Sequence, residues 1–491
     1  MGTIDHDNYE AVIGLEVHCQ LLTESKAFAP VSTEFGGLPN TQLTPLCLGH
    51  PGTLPVLNDN LVRYTIKMGL ATHCEVSRKS IFARKNYFYP DLPKGYQISQ
   101  YETPICHGGH ITITDEEAGG EDGPSTEKRI GITRIHMEED AGKSIHDQDP
   151  YHTLVDLNRA GVPLIEIVSE PDLRTPKEAY NYLTRIKQIV QYLEICDGNM
   201  EEGSLRCDAN VSVMPRGSQT FGTRTELKNM NSFRNVERAL GYEIERQIAL
   251  LEEGGEVVQE TMLWDPDKME TRMMRTKEEA HDYRYFPEPD IPPVVVTDDM
   301  LDEVRAELPE MPDVRQKRFM DDFDMSAQDA RTLTDDRYLA DFFEKLVDTS
   351  GSPRAASNLV LTEVLRVLNE RSISIREFPV SSERLGGLID LREDDKVNSS
   401  AMTAIFDAML EQEGSAEDLA ESMNLLQVSD AGFIEPIVEQ VIEEHPDEVG
   451  RYRDGKKGLI GFFIGQVMQR SQGKANPNLV RELIASKLEE S

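Results

Sequence analysis

The sequence predicts an α+β fold: a large N-terminal domain around a mixed or antiparallel sheet, followed by an all-α remainder. Three observations carry this. Up to about residue 293 the apolar runs are short, and Gly, Pro, Asn and aromatic residues are frequent. Within that part, alternating stretches such as Val12-Ile-Gly-Leu-Glu-Val-His18 read as half-buried strands. From Asp298 onward the pattern is helical, polar and acidic almost to the end.

The elements follow in order. Strands are expected over 12–18, 109–114, 154–157, 164–168 and 210–213. Another precedes His136, where Ile130, Ile132 and Ile135 alternate with polar residues. Helices are expected over 60–72, 175–193 and 232–253. The second has a complete start signal, with Thr175 as N-cap, Pro176 at the first helical position and Glu178 at the third. The acidic, Gly-rich stretch 115–128 reads as an exposed loop. Residues 286–293, Phe-Pro-Glu-Pro-Asp-Ile-Pro-Pro, cannot form a continuous helix and mark the exit from the first domain. Helix breaks are expected at 349–353, 373–379 and 412–415, and final helices over 458–470 and 476–489.

Composition narrows the function classes. A chain of 491 residues buries a substantial core in several domains. It has no run of about 18 apolar residues, so no membrane partner is expected. The first residues, Met-Gly-Thr-Ile-Asp-His-Asp, lack the basic and apolar regions of a secretory signal. The six cysteines are scattered without a C-x-x-C pair and read as reduced thiols of a cytoplasmic protein. Charge is extreme, with 88 acidic against 51 basic residues and a net charge of −37. The acid is spread along the chain and Arg outnumbers Lys, a pattern that resembles the high-salt cytoplasm of a halophilic archaeon. Against that background two basic islands stand out. One runs from Arg78 to Lys94 and includes Arg84 and Lys85; the other runs from Arg451 to Lys474 and includes Lys456, Lys457 and Arg470. Both are candidate phosphate contacts.

His136-Met-Glu-Glu-Asp-Ala-Gly-Lys143 concentrates an imidazole, three carboxylates and an ammonium at the end of a strand. Gly142-Lys143-Ser144 is not a P-loop, because the first glycine of that motif would fall at Met137. No G-x-G-x-x-G follows a strand, and no G-x-S-x-G exists. Cys106-His107 and His18-Cys19 are adjacent pairs, which a strand points to opposite faces, so neither makes a thiol dyad. Residues two apart on a strand do share a face. Glu16 and His18 have that spacing, as do His136 and Glu138, and Asp208 and Asn210. Glu166, within Leu-Ile-Glu-Ile-Val, is a carboxylate in an apolar strand and must be paired, protonated or bound to a metal. For Glu166 alone, a buried salt bridge to an Arg serves as well. Several such pairs in one domain point to Mg²⁺, which takes few protein oxygens and keeps water and substrate phosphates.

The chain resembles the B subunits of the glutamyl/aspartyl-tRNA amidotransferases. The matching stretches are Gly14-Leu-Glu-Val-His18, Cys47-Leu-Gly-His-Pro-Gly-Thr-Leu-Pro-Val-Leu57, 84–101, His136 to Lys143, 156–172, 200–212, 226–233, Thr271-Arg-Met-Met-Arg275 and Gly473-Lys-Ala-Asn-Pro477. They run the length of the chain in order. The resemblance implies a cradle domain over 1–293 holding a kinase site, a helical domain over 294–421 and a small helical tail over 422–491 that binds tRNA. It implies ATP- and Mg²⁺-dependent phosphorylation of the side-chain carboxylate of mischarged Asp-tRNA(Asn) or Glu-tRNA(Gln), then amidation with ammonia that an A subunit releases from glutamine. A C subunit would clamp A to B; no DNA partner is implied. The metal ligands map onto His18, Glu138 and Glu166, with Glu16 beside them as a catalytic carboxylate, and Glu139 is an alternative to Glu138. Arg206, Asp208, Glu226 and Lys228 map onto ATP or second-metal contacts, although a structural pair between Lys228 and Glu226 explains those two equally. Arg84, Lys85, Lys456, Lys457, Arg470 and Lys474 are the candidate tRNA contacts.

One departure stands out. Many relatives carry a zinc knuckle whose four positions read Ala29, Val31, Thr44 and Cys47 here, so four-coordinate zinc cannot form. Packing by Phe28, Val31 and Leu46 is expected in its place. A sister archaeal subunit acting only on Glu-tRNA(Gln) carries an inserted domain, for which 291–301 leaves no room. A non-catalytic tRNA scaffold predicts degraded metal ligands, and these are intact. Asp-tRNA(Asn) is the expected substrate if the source is archaeal.

Overall fold

A computed structural model describes residues 8–115, 126–276, 283–427, 431–471 and 474–490. The leader reading at 1–7, most of the loop expected over 115–128, and Gly473 lie outside the described residues. The chain forms two compact units, 1–312 and 313–491.

The first unit is built on a ten-stranded sheet. Tyr9–Gln20 lies at its middle, antiparallel to Pro163–Ser169 on one side and to Leu205–Pro215 on the other. Thr126–Glu139 follows beyond Pro163–Ser169, also antiparallel. Thr225–Met230 follows beyond Leu205–Pro215 and pairs in parallel with Glu260–Asp265, so the sheet is mixed. Thr225–Met230, Glu260–Asp265 and Glu270–Thr276 were not among the strands expected from the sequence.

Side-chain alternation sorts this sheet into two faces. Odd-numbered residues Leu15, Val17, Cys19, Ile135, Met137, Ile165, Ile167, Cys207, Ala209, Val211 and Leu227 are buried in one apolar core. Helices Asp59–Ala71, Pro176–Tyr192 and Phe233–Glu252 contribute Leu61, Ile66, Tyr182, Ile186, Val236 and Leu240 to it. Each such side chain contributes roughly 1.5–3 kcal/mol by leaving water. The even-numbered residues of the same strands are left for the opposite face, and these carry the titratable groups.

The helix starts obey their capping chemistry. Thr175 accepts a hydrogen bond from the Glu178 amide, and Ser232 accepts one from the Asn235 amide. The first unit extends past the proline-rich exit because helix Asp298–Ala306 packs back onto it. Leu301 and Val304 enter the first core, and Arg63 pairs with Glu303 at 3.1 Å.

The second unit is helical. One core runs from Phe319 to Ala420 and another from Ile434 to Leu488. The expected breaks are all present. Gly351 ends Arg337–Ser350 in the left-handed region at φ +65°, a conformation glycine adopts without strain. Ser372 closes Leu365–Arg371, and Ser415 caps Ala416–Ser422. The last helices are Ile460–Arg470 and Pro477–Glu490. Among the described residues no helix is long and apolar enough to cross a membrane.

Candidate active site

Strand register builds the site. His18 lies opposite Arg206 on one side and Glu166 on the other, and Glu166 lies opposite His136. This sets Arg206, His18, Glu166 and His136 in one row across four strands. One step along, Glu16 lies opposite Asp208. Asn210 in turn lies opposite Glu226.

His18, Glu138 and Glu166 converge so that one ligand atom from each lies within 4.8 Å of the others. His18 Nε2 is 3.2 Å from Glu166 Oε2 and 3.7 Å from Glu138 Oε1. His136 Nε2 stands 3.5 Å from Glu166 Oε2 and 3.8 Å from Glu138 Oε2. Arg134 reaches Glu166 only at 3.9 Å, so imidazoles rather than an arginine are its nearest partners. Ser99 Oγ donates to Glu138 Oε2 at 3.3 Å. Glu139 is committed elsewhere: it pairs with Lys94 and accepts the Ile98 amide at 3.0 Å. The geometry thus chooses Glu138 over Glu139, as strand parity predicts.

The electrostatics match a cation site. Burial pushes the Glu138 and Glu166 carboxyls up, but the imidazoles of His136 and His18 outweigh it and hold both below the usual carboxylate range. Burial pushes His18 down, and Glu166 and Glu138 together raise it above its ordinary value. Glu16 goes the other way: burial, then the charges of Glu166 and Asp208, raise it. Two buried carboxylates and one imidazole, with ligand atoms within 4.8 Å of one another, are a donor set that suits a divalent cation. Nδ1 of His136 is buried without a hydrogen-bond partner, while its Nε2 faces Glu166 and Glu138. The residues present therefore fit the implied metal.

A proton on His18 competes with that metal. Because His18 is raised by its carboxylates, Mn²⁺ affinity is expected to fall as pH drops through this raised value and to level off above it. Titration calorimetry at a series of pH values checks this; a flat profile contradicts it.

The neighbouring residues flank the cluster. Lys228 lies between Asp208, which it contacts directly, and Glu226 at 3.0 Å. Its pKa is raised, because these two carboxylates outweigh burial. Asn210 Nδ2 donates to Glu16 Oε1 at 3.1 Å, and Thr261 Oγ1 donates to Glu226 Oε2 at 2.7 Å.

The basic islands divide. Arg84 spends its fork on Glu288, at 2.6 and 2.9 Å, and on Asp290 at 3.0 Å, and stacks 4.3 Å from the Tyr96 ring centroid. That pairing fastens Ala83–Asn86 to the 286–290 segment. Lys85 lies 5.0 Å from the Tyr283 ring centroid, and the charges of Glu138 and Glu166 outweigh its burial and raise its pKa. Its ammonium belongs to the field of the site. In the second unit, Lys457 lies 4.2 Å over Tyr452, Arg470 pairs with Glu444 at 3.2 Å, and Lys474 donates to Asn424 at 3.2 Å. Lys456 is exposed.

Around the positions of the missing zinc ligands, Phe28 packs edge-on to Phe82 at 5.5 Å. Sequence reasoning missed Lys26, which is 1% exposed. Its ammonium donates to the Gln42 carbonyl at 2.8 Å and lies 3.7 Å from Cys47 Sγ. No local pattern marks a lysine whose partners are brought by distant loops.

Comparison with known proteins shows the family. Residues 11–302 match the family described as GatB/GatE catalytic domain, and residues 341–488 match the one described as GatB domain. The chain is 54% identical to the B subunit of the aspartyl/glutamyl-tRNA(Asn/Gln) amidotransferase of Salinibacter ruber, over 99% of this chain and 98% of that one. It is 55% identical to the B subunits of the same amidotransferase from Chlorobaculum tepidum and Halorhodospira halophila, over 98% of this chain and 100% of each. The chain belongs to the family of amidotransferase B subunits that its motifs resemble.

Proposed function

We propose that this chain is the phosphorylating subunit of a tRNA-dependent amidotransferase. It transfers the γ-phosphoryl group of ATP to the side-chain carboxylate of mischarged Asp-tRNA(Asn) or Glu-tRNA(Gln), releasing ADP. Ammonia from glutamine, supplied by an A subunit, then displaces phosphate and leaves the amide. A C subunit completes the heterotrimer in the cytoplasm. The observation that carries this reading is the convergence of His18, Glu138 and Glu166, with Arg206 in register beside His18.

Phosphoryl transfer needs positioning and charge more than covalent help from the protein. Mg²⁺, when bound, neutralises charge on the phosphates. His18, Glu138 and Glu166 would hold it. Arg206 and Lys228 supply fixed positive charge for phosphate oxygens, and Lys85 adds an ammonium to the field at Glu138. Asn210 fixes the carboxylate of Glu16 at the edge of the cluster. Residues 1–293 with the returning helix Asp298–Ala306 form the cradle, the helices from 313 to 421 the helical domain, and 422–491 the tRNA-binding tail. Lys456, Lys457, Arg470 and Lys474 are the proposed tRNA contacts. The pairing of Arg84 with Glu288 assigns that residue to the cradle fold.

The test is amidation by the reconstituted three-subunit complex, in molar salt, with each mischarged tRNA in turn. ATP-dependent formation of Asn-tRNA(Asn) or Gln-tRNA(Gln) is expected. Product on neither tRNA, with the glutaminase active, rejects the proposal.

A further inference from the structure

We propose that Asp140 is a positioning residue that aims Arg206 at the phosphates of the nucleotide; the inference rests on the function just proposed. Asp140 follows the last residue of Thr126–Glu139 and is only 4% exposed. Its Oδ2 accepts from Gln20 Nε2 at 2.8 Å and from Arg206 Nη2 at 2.8 Å, and Arg159 Nε stands 3.6 Å away as an ion-pair partner. Its Oδ1 accepts the Ala141 amide at 2.9 Å.

The three side-chain partners are not equivalent. Gln20 is neutral. Arg159 spends Nε on the Ala141 carbonyl at 3.0 Å and Nη2 on the Gly142 carbonyl at 2.7 Å, so it serves the turn. Arg206 has no such commitment. It lies in register with His18, and its buried Nε has no hydrogen-bond partner. One carboxylate between two guanidiniums leaves a net positive charge beside the metal-ligand cluster. A guanidinium held at one end by a carboxylate and partly exposed elsewhere suits capture of phosphate oxygens.

The carboxylate is separable from the fold of its own backbone. The Asp140 amide donates to the Val162 carbonyl at 2.8 Å, and the Gly161 amide donates to the Asp140 carbonyl at 2.8 Å. Neither bond involves the side chain, so Asp140→Asn keeps the turn and removes the charge that holds Arg206.

The experiment is a double-mutant cycle on ADP formation by the assembled complex with mischarged tRNA, reading KM for ATP and kcat separately. Asp140→Asn is expected to raise KM about tenfold with a smaller change in kcat, and Arg206→Ala to raise it at least as much. The double variant is expected to be no worse than Arg206→Ala alone, because Asp140 acts through Arg206. A normal KM in Asp140→Asn, or additive effects in the double variant, overturns the inference and leaves the role of Arg206 standing. A normal KM in Arg206→Ala removes the phosphate role of Arg206 and the inference with it, while the metal cluster keeps its own test at Glu138. If Asp140→Asn fails to fold, Arg206→Lys, which keeps the charge and loses the fork, decides: raised KM supports aimed capture, and normal KM overturns it.

Discussion

Replacing Glu138 with Ala is expected to lower amidated-tRNA formation by the reconstituted complex roughly 100- to 1,000-fold, the scale of losing one group that stabilises charge in a transition state. The expectation comes from where Glu138 points. One oxygen faces His18 at 3.7 Å and the other faces His136 at 3.8 Å, so the carboxylate closes one side of the cluster. The fold should survive. The Leu164–Glu138 backbone pairing does not use the side chain, and Ser99 loses only a 3.3 Å hydrogen bond. An assay of Asn-tRNA(Asn) and Gln-tRNA(Gln), beside a thermal melt, separates the two effects. Normal product formation by a folded Glu138→Ala variant would leave a tRNA scaffold as the better account of this chain.

Replacing Lys26 with Met is expected to destabilise the first unit by about 2–4 kcal/mol, the usual cost of removing one partner from a buried polar cluster. The Gln42 and Leu157 carbonyls, at 2.8 and 3.5 Å, and the Cys47 thiol lose their shared donor. The methionine side chain matches the stem in length but offers no hydrogen to any of the three. Trp264 is the single tryptophan of the chain and is 1% exposed within the first core. Its fluorescence in a urea titration therefore reports the first unit without interference from the second. An unchanged midpoint would show that this region is held by the packing of Phe28 and Phe82 alone. Metal analysis of the wild-type protein is expected to find less than one zinc per chain, because Ala29, Val31 and Thr44 supply no ligand comparable to a thiolate. Stoichiometric zinc bound through Cys47 would contradict this.

The fold was legible wherever period and punctuation agreed. The strand carrying Glu16 and His18, the strand carrying Glu166, and all three helices that cover the sheet could be read from side-chain alternation and caps. Parity put Glu16 on the face of His18 and Glu138 on the face of His136; the grouping of His18, Glu138 and Glu166 came from the family resemblance, and strand register brings the three together. Asp140 lies one residue past the end of Thr126–Glu139, where parity no longer applies, and its carboxylate meets Gln20 and Arg206. What sequence reasoning missed depends on long-range placement. The strands Glu260–Asp265 and Glu270–Thr276, Glu-Thr-Met-Leu-Trp-Asp and Glu-Thr-Arg-Met-Met-Arg-Thr, carry no clear alternation. Arg84 resembled a free phosphate contact because Glu288 lies about 200 residues away in sequence, and only folding brings them together. Lys26 was invisible for the same reason. Charge gave the weakest guidance: a net −37 disguised a site whose flanks, Arg206, Lys228 and Lys85, are basic.

The central claim is that this chain activates a carboxylate by phosphorylation. The most direct measurement omits glutamine and ammonia, supplies ATP, Mg²⁺ and mischarged tRNA to the complex, and traps the product with hydroxylamine. An acyl phosphate gives an aminoacyl-hydroxamate on the tRNA together with one ADP for each hydroxamate formed. The account predicts both in the wild type and neither in Glu166→Gln. Hydroxamate without ADP, or undiminished formation in Glu166→Gln, would contradict it.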